Sequence, residues 1–325
     1  ESIFQPEWSP DARLHFVSDR TGWWNLYRVA EDGKTEALCP REQEFGLPQW
    51  VFRMSTYALP APGRLVCTWC DAGVWGLGRL DEGGELREIP SDFTLFEGLQ
   101  PATGGVVLLG ASPRQGPTVL FYDLARDELR EVHRLSQEEP EEATLSIGEP
   151  IEFPTSDDAT AHAFYYRPHN DDWRAPDGDK PPLLVLSHGG PTAMTTNEYE
   201  PRIQFWTSRG FAVLDVNYRG STGFGRAYRS KLDGQWGVVD VEDCMAGARF
   251  LVEHDKADKK RLIISGGSAG GYTTLAALTF HNLFRVGASY YGVSDLAALA
   301  RDTHKFEARY LDRLVGPYPE SEALY

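Results

Sequence analysis

Lysine and arginine are scarce in this sequence: 32 of them stand against 48 aspartates and glutamates, a formal net charge of −16 at pH 7. That sign argues against nucleic acid and against an anionic membrane surface as partners, since both need a basic footprint. It favours solubility, with attraction for cationic peptides or free amino groups as a weak corollary. No apolar run approaches the length of a membrane-spanning helix, so no membrane partner is expected. Cysteine is sparse too, and four in 325 residues do not make a disulfide framework. Cys67 and Cys70 form a CxxC, but they lie in LVCTWC, which reads as a strand whose two-residue period sends them to opposite faces. Cys39 and Cys244 stand alone. Redox and zinc roles are therefore not expected, and a reducing, cytoplasmic compartment fits best.

What is present suggests two domains. The length exceeds one ordinary domain, and 41% hydrophobic with 12% aromatic residues is ample for packed cores. Residues 1–136 are weakly self-similar, with strand-like runs at Leu14–Val17, Leu65–Trp69 and Val106–Leu109. A second run follows each, at Leu26–Val29, Leu77–Leu80 and Leu120–Leu124, across turn-forming residues such as Asp71-Ala72-Gly73. Short paired strands repeated in this way fit blades of a β-propeller, with an ordinary antiparallel sandwich as the competing reading. Three blades cannot close a ring, so further blades are expected upstream. The acidic stretch QEEPEE at 137–142 reads as a solvated connector. The expected division is therefore 1–140, the C-terminal blades of an incomplete propeller, and 141–325, a second domain.

That second domain opens with a strand pair over 150–167, with Asp157-Asp158 at its turn, followed by an exposed loop at Pro168–Pro182. The pattern then changes. Leu183–Ser187 is apolar without alternation, as a strand covered on both faces should be. A helix at Asn197–Arg209, a strand at Phe211–Asn217 and an amphipathic helix at Val239–Glu253, with Asp240 as its cap, follow in order. Strands at Leu262–Ser265 and Val286–Tyr291 complete a strand–helix alternation that predicts a parallel sheet. The expected class is α/β: a doubly wound, mostly parallel α/β-hydrolase sheet preceded by part of a propeller.

The chemistry centres on RLIISGGSAGGYTTL, Arg261–Leu275. Strand, Gly-x-Ser-x-Gly, helix is the nucleophile elbow, which lifts a serine hydroxyl above the end of a parallel sheet. Glycines surround Ser268 because the turn is strained and its backbones pack closely. A phosphate loop is disfavoured, since no Lys-Ser/Thr pair follows the glycines. A serine hydroxyl needs an oxyanion hole. The amide of Ala269 is one expected donor, and the loop after Leu183–Ser187, His188-Gly189-Gly190-Pro191, offers the other from Gly190, with Gly189 next. No metal or organic cofactor is called for.

Several stretches in order carry a resemblance. HGGPT at 188–192, DVNYRGSTGFGRAYR at 215–229, WGVVDVEDC at 236–244, GGSAGGYTTLAAL at 266–278 and YYGVSDL at 290–296 resemble the prolyl oligopeptidase family (S9) of serine peptidases, and its acylaminoacyl-peptidase-like branch in particular. WSPDARLHFVSDRTGWWNLY, Trp8–Tyr27, resembles the propeller blades of such peptidases. The resemblance implies Ser268 as the acylated nucleophile and short peptides as substrates. It also implies substrate-side roles for His188, Tyr218, Arg219 and Phe306. His188 stands where some relatives carry an oxyanion tyrosine, which leaves the hole here to the backbone. Self-association stays open.

Histidine is the missing ingredient. The family order is Ser, Asp, His, yet only His281 and His304 follow Ser268. Asp295 and Asp302 precede His304, but Asp295 and His304 are expected to share one loop and helix as capping and surface residues. Loss of a triad base costs on the order of a millionfold in turnover. The expectation is thus a fragment, inactive as given, whose triad acid and histidine lie beyond Tyr325. A carboxylesterase or lipase on the same core is the first rival reading. A non-catalytic, propeller-bearing interaction module is the second.

Overall fold

The computed structural model describes residues 1–48, 52–81, 83–136, 140–305 and 307–325, in two compact units. The first comprises Glu1–Glu141 with Thr196–Glu200 and Thr222–Ala227; the second comprises Glu142–Thr195, Pro201–Ser221 and Tyr228–Tyr325.

The first unit is three four-stranded antiparallel meanders in sequence, the blade pattern of a β-propeller. They are β1 (Ile3–Trp8), β2 (Leu14–Ser18), β3 (Asn25–Val29) and β4 (Thr35–Ala37); β5 (Tyr57–Ala61), β6 (Arg64–Asp71), β7 (Val74–Leu80) and β8 (Leu86–Glu88); and β9 (Leu95–Ala102), β10 (Gly105–Ser112), β11 (Gln115–Asp123) and β12 (Glu128–Arg134). The six apolar runs read from the sequence are the two middle strands of each meander. The β6–β7 hairpin shows why they pair. Ala72 and Gly73 both take positive φ, 50° and 85°, so Asp71 faces Val74 across a two-residue turn that suits strand twist. Cys67 and Cys70 lie on β6, both buried, and burial pushes both thiols up from their ordinary pKa. All four cysteines are free thiols.

Two stretches from the second half of the sequence count with this unit. The Thr94 hydroxyl donates to Asn197 Oδ1 at 2.8 Å, and the Tyr199 amide donates to the Ser112 carbonyl at 2.8 Å. The helix predicted over Asn197–Arg209 accordingly starts later, as α1 (Pro201–Thr207). Asn197 and Tyr199 spend these polar groups on Thr94 and Ser112, and proline, with fixed φ and no N–H, suits a helix's first turn.

The second unit is built on a six-stranded sheet, β13 (Glu149–Pro154), β14 (Thr160–Tyr166), β15 (Leu183–Ser187), β16 (Ala212–Asn217), β17 (Leu262–Gly267) and β18 (Val286–Tyr290). Their spatial order is β13-β14-β16-β15-β17-β18. Pairs β15/β16, β15/β17 and β17/β18 are parallel, while β13/β14 and β14/β16 are antiparallel. Helices α1, α3 (Val239–Glu253), α4 (Ala269–Phe280), α5 (Leu296–Asp302) and α6 (Leu311–Leu314) complete it, while α2 (Gly225–Arg229) begins in the stretch that counts with the first unit and ends in the second. The core joins Val185, Leu214 and Ile264 of the sheet to Val241, Cys244 and Ala248 of α3. The two sheet edges differ. Edge strand β13 carries Pro150, Glu152 and Pro154, whereas β18 exposes Val286 and Tyr290 by 56% and 52%.

Asp240 does not cap α3 in the expected way. It sits one residue inside the helix, fully buried, where its carboxylate accepts from the Gly237 amide at 2.6 Å and the Thr273 hydroxyl of α4 at 2.5 Å. Desolvation outweighs these bonds and raises its pKa to about 6. A folded-state pKa above the unfolded value means the folded chain binds the extra proton, so this group's contribution to stability falls as pH rises from about 4 to about 6. Asp240→Asn keeps an acceptor for Gly237 and should remove that dependence. Chemical denaturation is expected to show wild type losing up to about 3 kcal/mol relative to D240N between pH 4 and pH 7. A wild-type–variant difference independent of pH would contradict it.

Candidate active site

Ser268 stands between β17 and α4 with φ 54° and ψ −119°, a backbone that a non-glycine residue takes only under constraint. The constraint is steric. A Cβ on Gly270 would lie 2.0 Å from the Ser187 carbonyl oxygen, and one on Gly266 would lie 2.3 Å from the Gly270 carbonyl oxygen. The end of β15 and the first turn of α4 therefore touch backbone to backbone. The Ser187 hydroxyl adds a bond to the Gly270 carbonyl at 2.9 Å. The Ser268 amide donates to Tyr290 at 3.1 Å, and its carbonyl accepts from Tyr272 at 3.2 Å and Val293 at 3.3 Å. Both backbone groups of the strained residue are thus held. Its side chain faces solvent, and among the described residues none hydrogen-bonds the hydroxyl.

Ala269 is the first residue of α4, so its amide has no intrahelical partner by position. Gly189 lies against the serine: a Cβ there would sit 3.5 Å from Ser268 Cβ. Gly190 takes φ 120°, and a Cβ there would meet the Ala193 and Thr192 amide nitrogens at 2.6 and 2.9 Å. Gly189 and a helix N-terminus thus lie beside one exposed hydroxyl, with Gly190 the next residue of the loop; backbone amides placed so can serve a developing oxyanion.

Behind them the NYRGS stretch, Asn217–Ser221, grips the loop 188–195. Asn217 bonds Thr195 twice, accepting from its amide at 2.8 Å and donating to its carbonyl at 3.0 Å. The Tyr218 hydroxyl donates to the His188 carbonyl at 2.9 Å, and its ring stacks on the imidazole with centroids 4.3 Å apart. Ser221 Oγ meets His188 Nε2 at 2.7 Å, and His188 Nδ1 meets the Gly189 carbonyl at 2.7 Å. At the far side of the loop, Thr192 and Tyr310 hydroxyls bond at 2.8 Å. Desolvation lowers the His188 pKa to about 4 against the pull of the Gly189 carbonyl, so the ring is neutral at physiological pH.

These contacts revise the substrate-side assignments. Both nitrogens of His188 are engaged within the protein. Tyr218 is wholly buried and Arg219 is 2% exposed, so neither offers a surface to a substrate. Arg219 instead donates from Nε to Asp243 at 3.0 and 3.1 Å and from Nη2 to Glu242 at 3.2 Å. Desolvation raises the Asp243 pKa and the arginine's bonds oppose it. Phe306 lies outside the described residues. Asp295 caps α5 by accepting from the Ala298 amide at 2.8 Å, and His304 lies 3.7 Å from Glu307. His281 is the C-cap of α4. Ser221, Thr192 and Tyr310 were not legible as functional positions, because a hydroxyl carries no spacing signal. Tyr291 was missed as well. It is exposed, takes φ 43°, and lays its ring 3.0–3.2 Å from where a Gly267 Cβ would stand.

Residues 197–325 match the prolyl oligopeptidase family. A solved puromycin-hydrolyzing peptidase of Mycobacterium tuberculosis is 39% identical with a TM-score of 0.95, covering 100% of this chain and 50% of that one. The dipeptidyl aminopeptidase BIII of Pseudoxanthomonas mexicana is 34% identical over 171 residues, 51% of this chain and 24% of that protein. Dipeptidyl peptidase family member 6 of Caenorhabditis elegans is 37% identical over 141 residues, 39% of this chain and 19% of that protein. The chain thus spans half the length of the solved relative and a quarter or less of the other two.

Steric room separates the site's glycines. G189A adds a methyl at ordinary contact distance and should cost under about 1 kcal/mol. G270A drives a methyl into a carbonyl that cannot swing away and should cost at least about 3 kcal/mol, the upper end of overpacking penalties. Denaturant midpoints of the two variants check this, and equal losses would contradict it.

Proposed function

We propose that this chain, whose residues 197–325 belong to the prolyl oligopeptidase family, forms the nucleophile-bearing part of a serine peptidase acting on short peptides and aminoacyl amides. One observation carries the reading: an exposed serine held at φ 54° on a strand–helix turn, with Gly189 packed against it. In this mechanism Ser268 Oγ attacks the scissile carbonyl carbon. The carbonyl π electrons move to oxygen, and the oxyanion is held by the amides of Ala269 and Gly190, with Gly189 beside them. Collapse expels the amine, protonated by the base that took the serine proton, and leaves an acyl-enzyme for water to hydrolyse. No described histidine bonds Ser268, and the reading requires a general base and an orienting carboxylate besides the residues named here.

The substrate class rests on the chain's similarity to a puromycin-hydrolyzing peptidase, a dipeptidyl aminopeptidase and the acylamino-acid-releasing enzyme of Mus musculus. The four-stranded meanders favour a peptidase over a carboxylesterase or lipase on the same core. The four free, buried cysteines support a cytoplasmic setting. Among the described residues no helix is long and apolar enough to cross a membrane.

In the intact protein, a fluorophosphonate probe should label Ser268 and S268A should abolish labelling, with turnover falling on the order of a millionfold. Wild type that takes no label would reject the hydrolase reading in favour of an interaction module. Puromycin and aminoacyl or dipeptidyl anilides should be cleaved with higher kcat/KM than simple alkyl esters; the reverse order would favour an esterase. G190A should lower kcat by roughly 10²–10³, the cost of one oxyanion donor, because its φ of 120° is strained for alanine.

A further inference from the structure

We infer that a cleft on the third meander binds a small zwitterion of the α-amino acid class, its carboxylate taken by Arg130 and its ammonium by Asp92. The cleft encloses about 240 Å³ and is lined by residues 90–93, which lead into β9, and by β10, β11 and β12. One water needs roughly 10–15 Å³ and pockets for drug-sized molecules start at roughly 300 Å³, so the room suits a small organic molecule. One side of it is apolar. Leu120 and Leu129 line it, and Phe93 lies against β10 where Gly110 leaves the space. A Cβ on Gly110 would stand 3.2 Å from the Phe93 ring and 2.5 Å from Leu120 Cδ1.

The charged groups on the lining are not equivalent. Glu131 is already engaged, accepting from Gln115 Nε2 at 3.0 Å and from Arg134 Nε at 2.9 Å. Arg130 and Asp92 are not: among the described residues neither forms an ion pair, with the other or with any third group. Both are nevertheless held in place. Arg130 faces Phe121 across the β11–β12 ladder, its guanidinium 4.8 Å from the centroid of that ring. Stacking occupies the face of a guanidinium and leaves its N–H edge open, the edge that grips a carboxylate with two parallel bonds. Asp92 sits in a turn closed by the Phe93 amide, which donates to Ser91 Oγ at 3.0 Å and so fixes the backbone on either side of the aspartate. An ordered cation and an ordered anion, kept apart beside apolar side chains, complement a ligand that carries both charges and a short apolar group. A simple anion would meet repulsion from Asp92, and a simple cation repulsion from Arg130. Amino acids are the product class of the peptidase reading, but the cleft does not depend on Ser268 being a nucleophile.

Calorimetric titration of the intact protein with L-leucine tests this. Fluorophosphonate treatment beforehand keeps the Ser268 site out of the measurement; wild type that takes no label is titrated as it is, so the hydrolase reading and this one fail separately. Leucine should bind with a Kd of about 5 mM or tighter. Two analogues with one charge each, 4-methylpentanoate and 3-methylbutylamine, should bind at least about tenfold more weakly. Arg130→Gln and Asp92→Asn alter exposed side chains, and each should weaken leucine binding by about tenfold or more. Both variants should melt within about 2 °C of wild type. Should one melt early, the one-charge analogues on wild type carry the test. No leucine binding up to about 50 mM would overturn the proposal. So would one-charge analogues that bind as well as leucine, or leucine affinity unchanged in either folded variant. Leucylleucine that binds more tightly than leucine would overturn the assigned ligand size.

Discussion

The backbone of β15 and the first turn of α4 meet with no side chain between them, and the site depends on that approach. With the Ser187 oxygen 2.0 Å from where a Gly270 Cβ would stand, the elbow cannot relax outward or tolerate a methyl at its pivot. The cost is borne at Ser268, whose positive φ is one that serine adopts only when its surroundings leave no alternative. Hydrogen bonds from Tyr272 and Val293 to its carbonyl, and from its amide to Tyr290, supply that compulsion. Because the strand that touches α4 also ends in His188-Gly189-Gly190, one contact sets the distance between nucleophile and candidate hole.

The NYRGS stretch is the second support, and each of its residues has a separate task. Asn217 ties down Thr195, Tyr218 and Ser221 hold His188, and Gly220 takes φ 119° where a Cβ would strike Leu232. Arg219 is the exception in kind. Its buried guanidinium would be costly alone, yet Asp243 meets it with both carboxylate oxygens and its own backbone amide adds a bond at 2.7 Å. That pair fastens the NYRGS turn to α3, which makes Arg219 a structural anchor several contacts removed from the chemistry.

Legibility in the sequence tracked locality. The elbow was readable because strand, glycines, serine and helix are contiguous, and α3 matched because its amphipathic period spans its whole length. In each blade the two middle strands were readable from their apolar runs. The outer strands β4 and β8 were not, since TEA at Thr35–Ala37 and LRE at Leu86–Glu88 have few apolar residues and little burial to encode. The start of α1 was misjudged because the pull on Asn197 and Tyr199 comes from residues about a hundred positions away in sequence. His188 was located but misassigned for the same reason: its partner hydroxyl lies 33 residues downstream, and periodicity says nothing about it.

The unlike edges of the six-stranded sheet give it a direction of growth. At β13, two prolines withhold backbone donors and a glutamate faces outward, so that end is capped against a further strand. At β18, a short run of mostly small or apolar residues, Val286–Tyr290, leaves a rim of backbone donors and acceptors on the flank that carries the elbow. In polymer terms the sheet has one dead end and one live end. Any strand that adds to it, from whatever source, does so on the nucleophile's side.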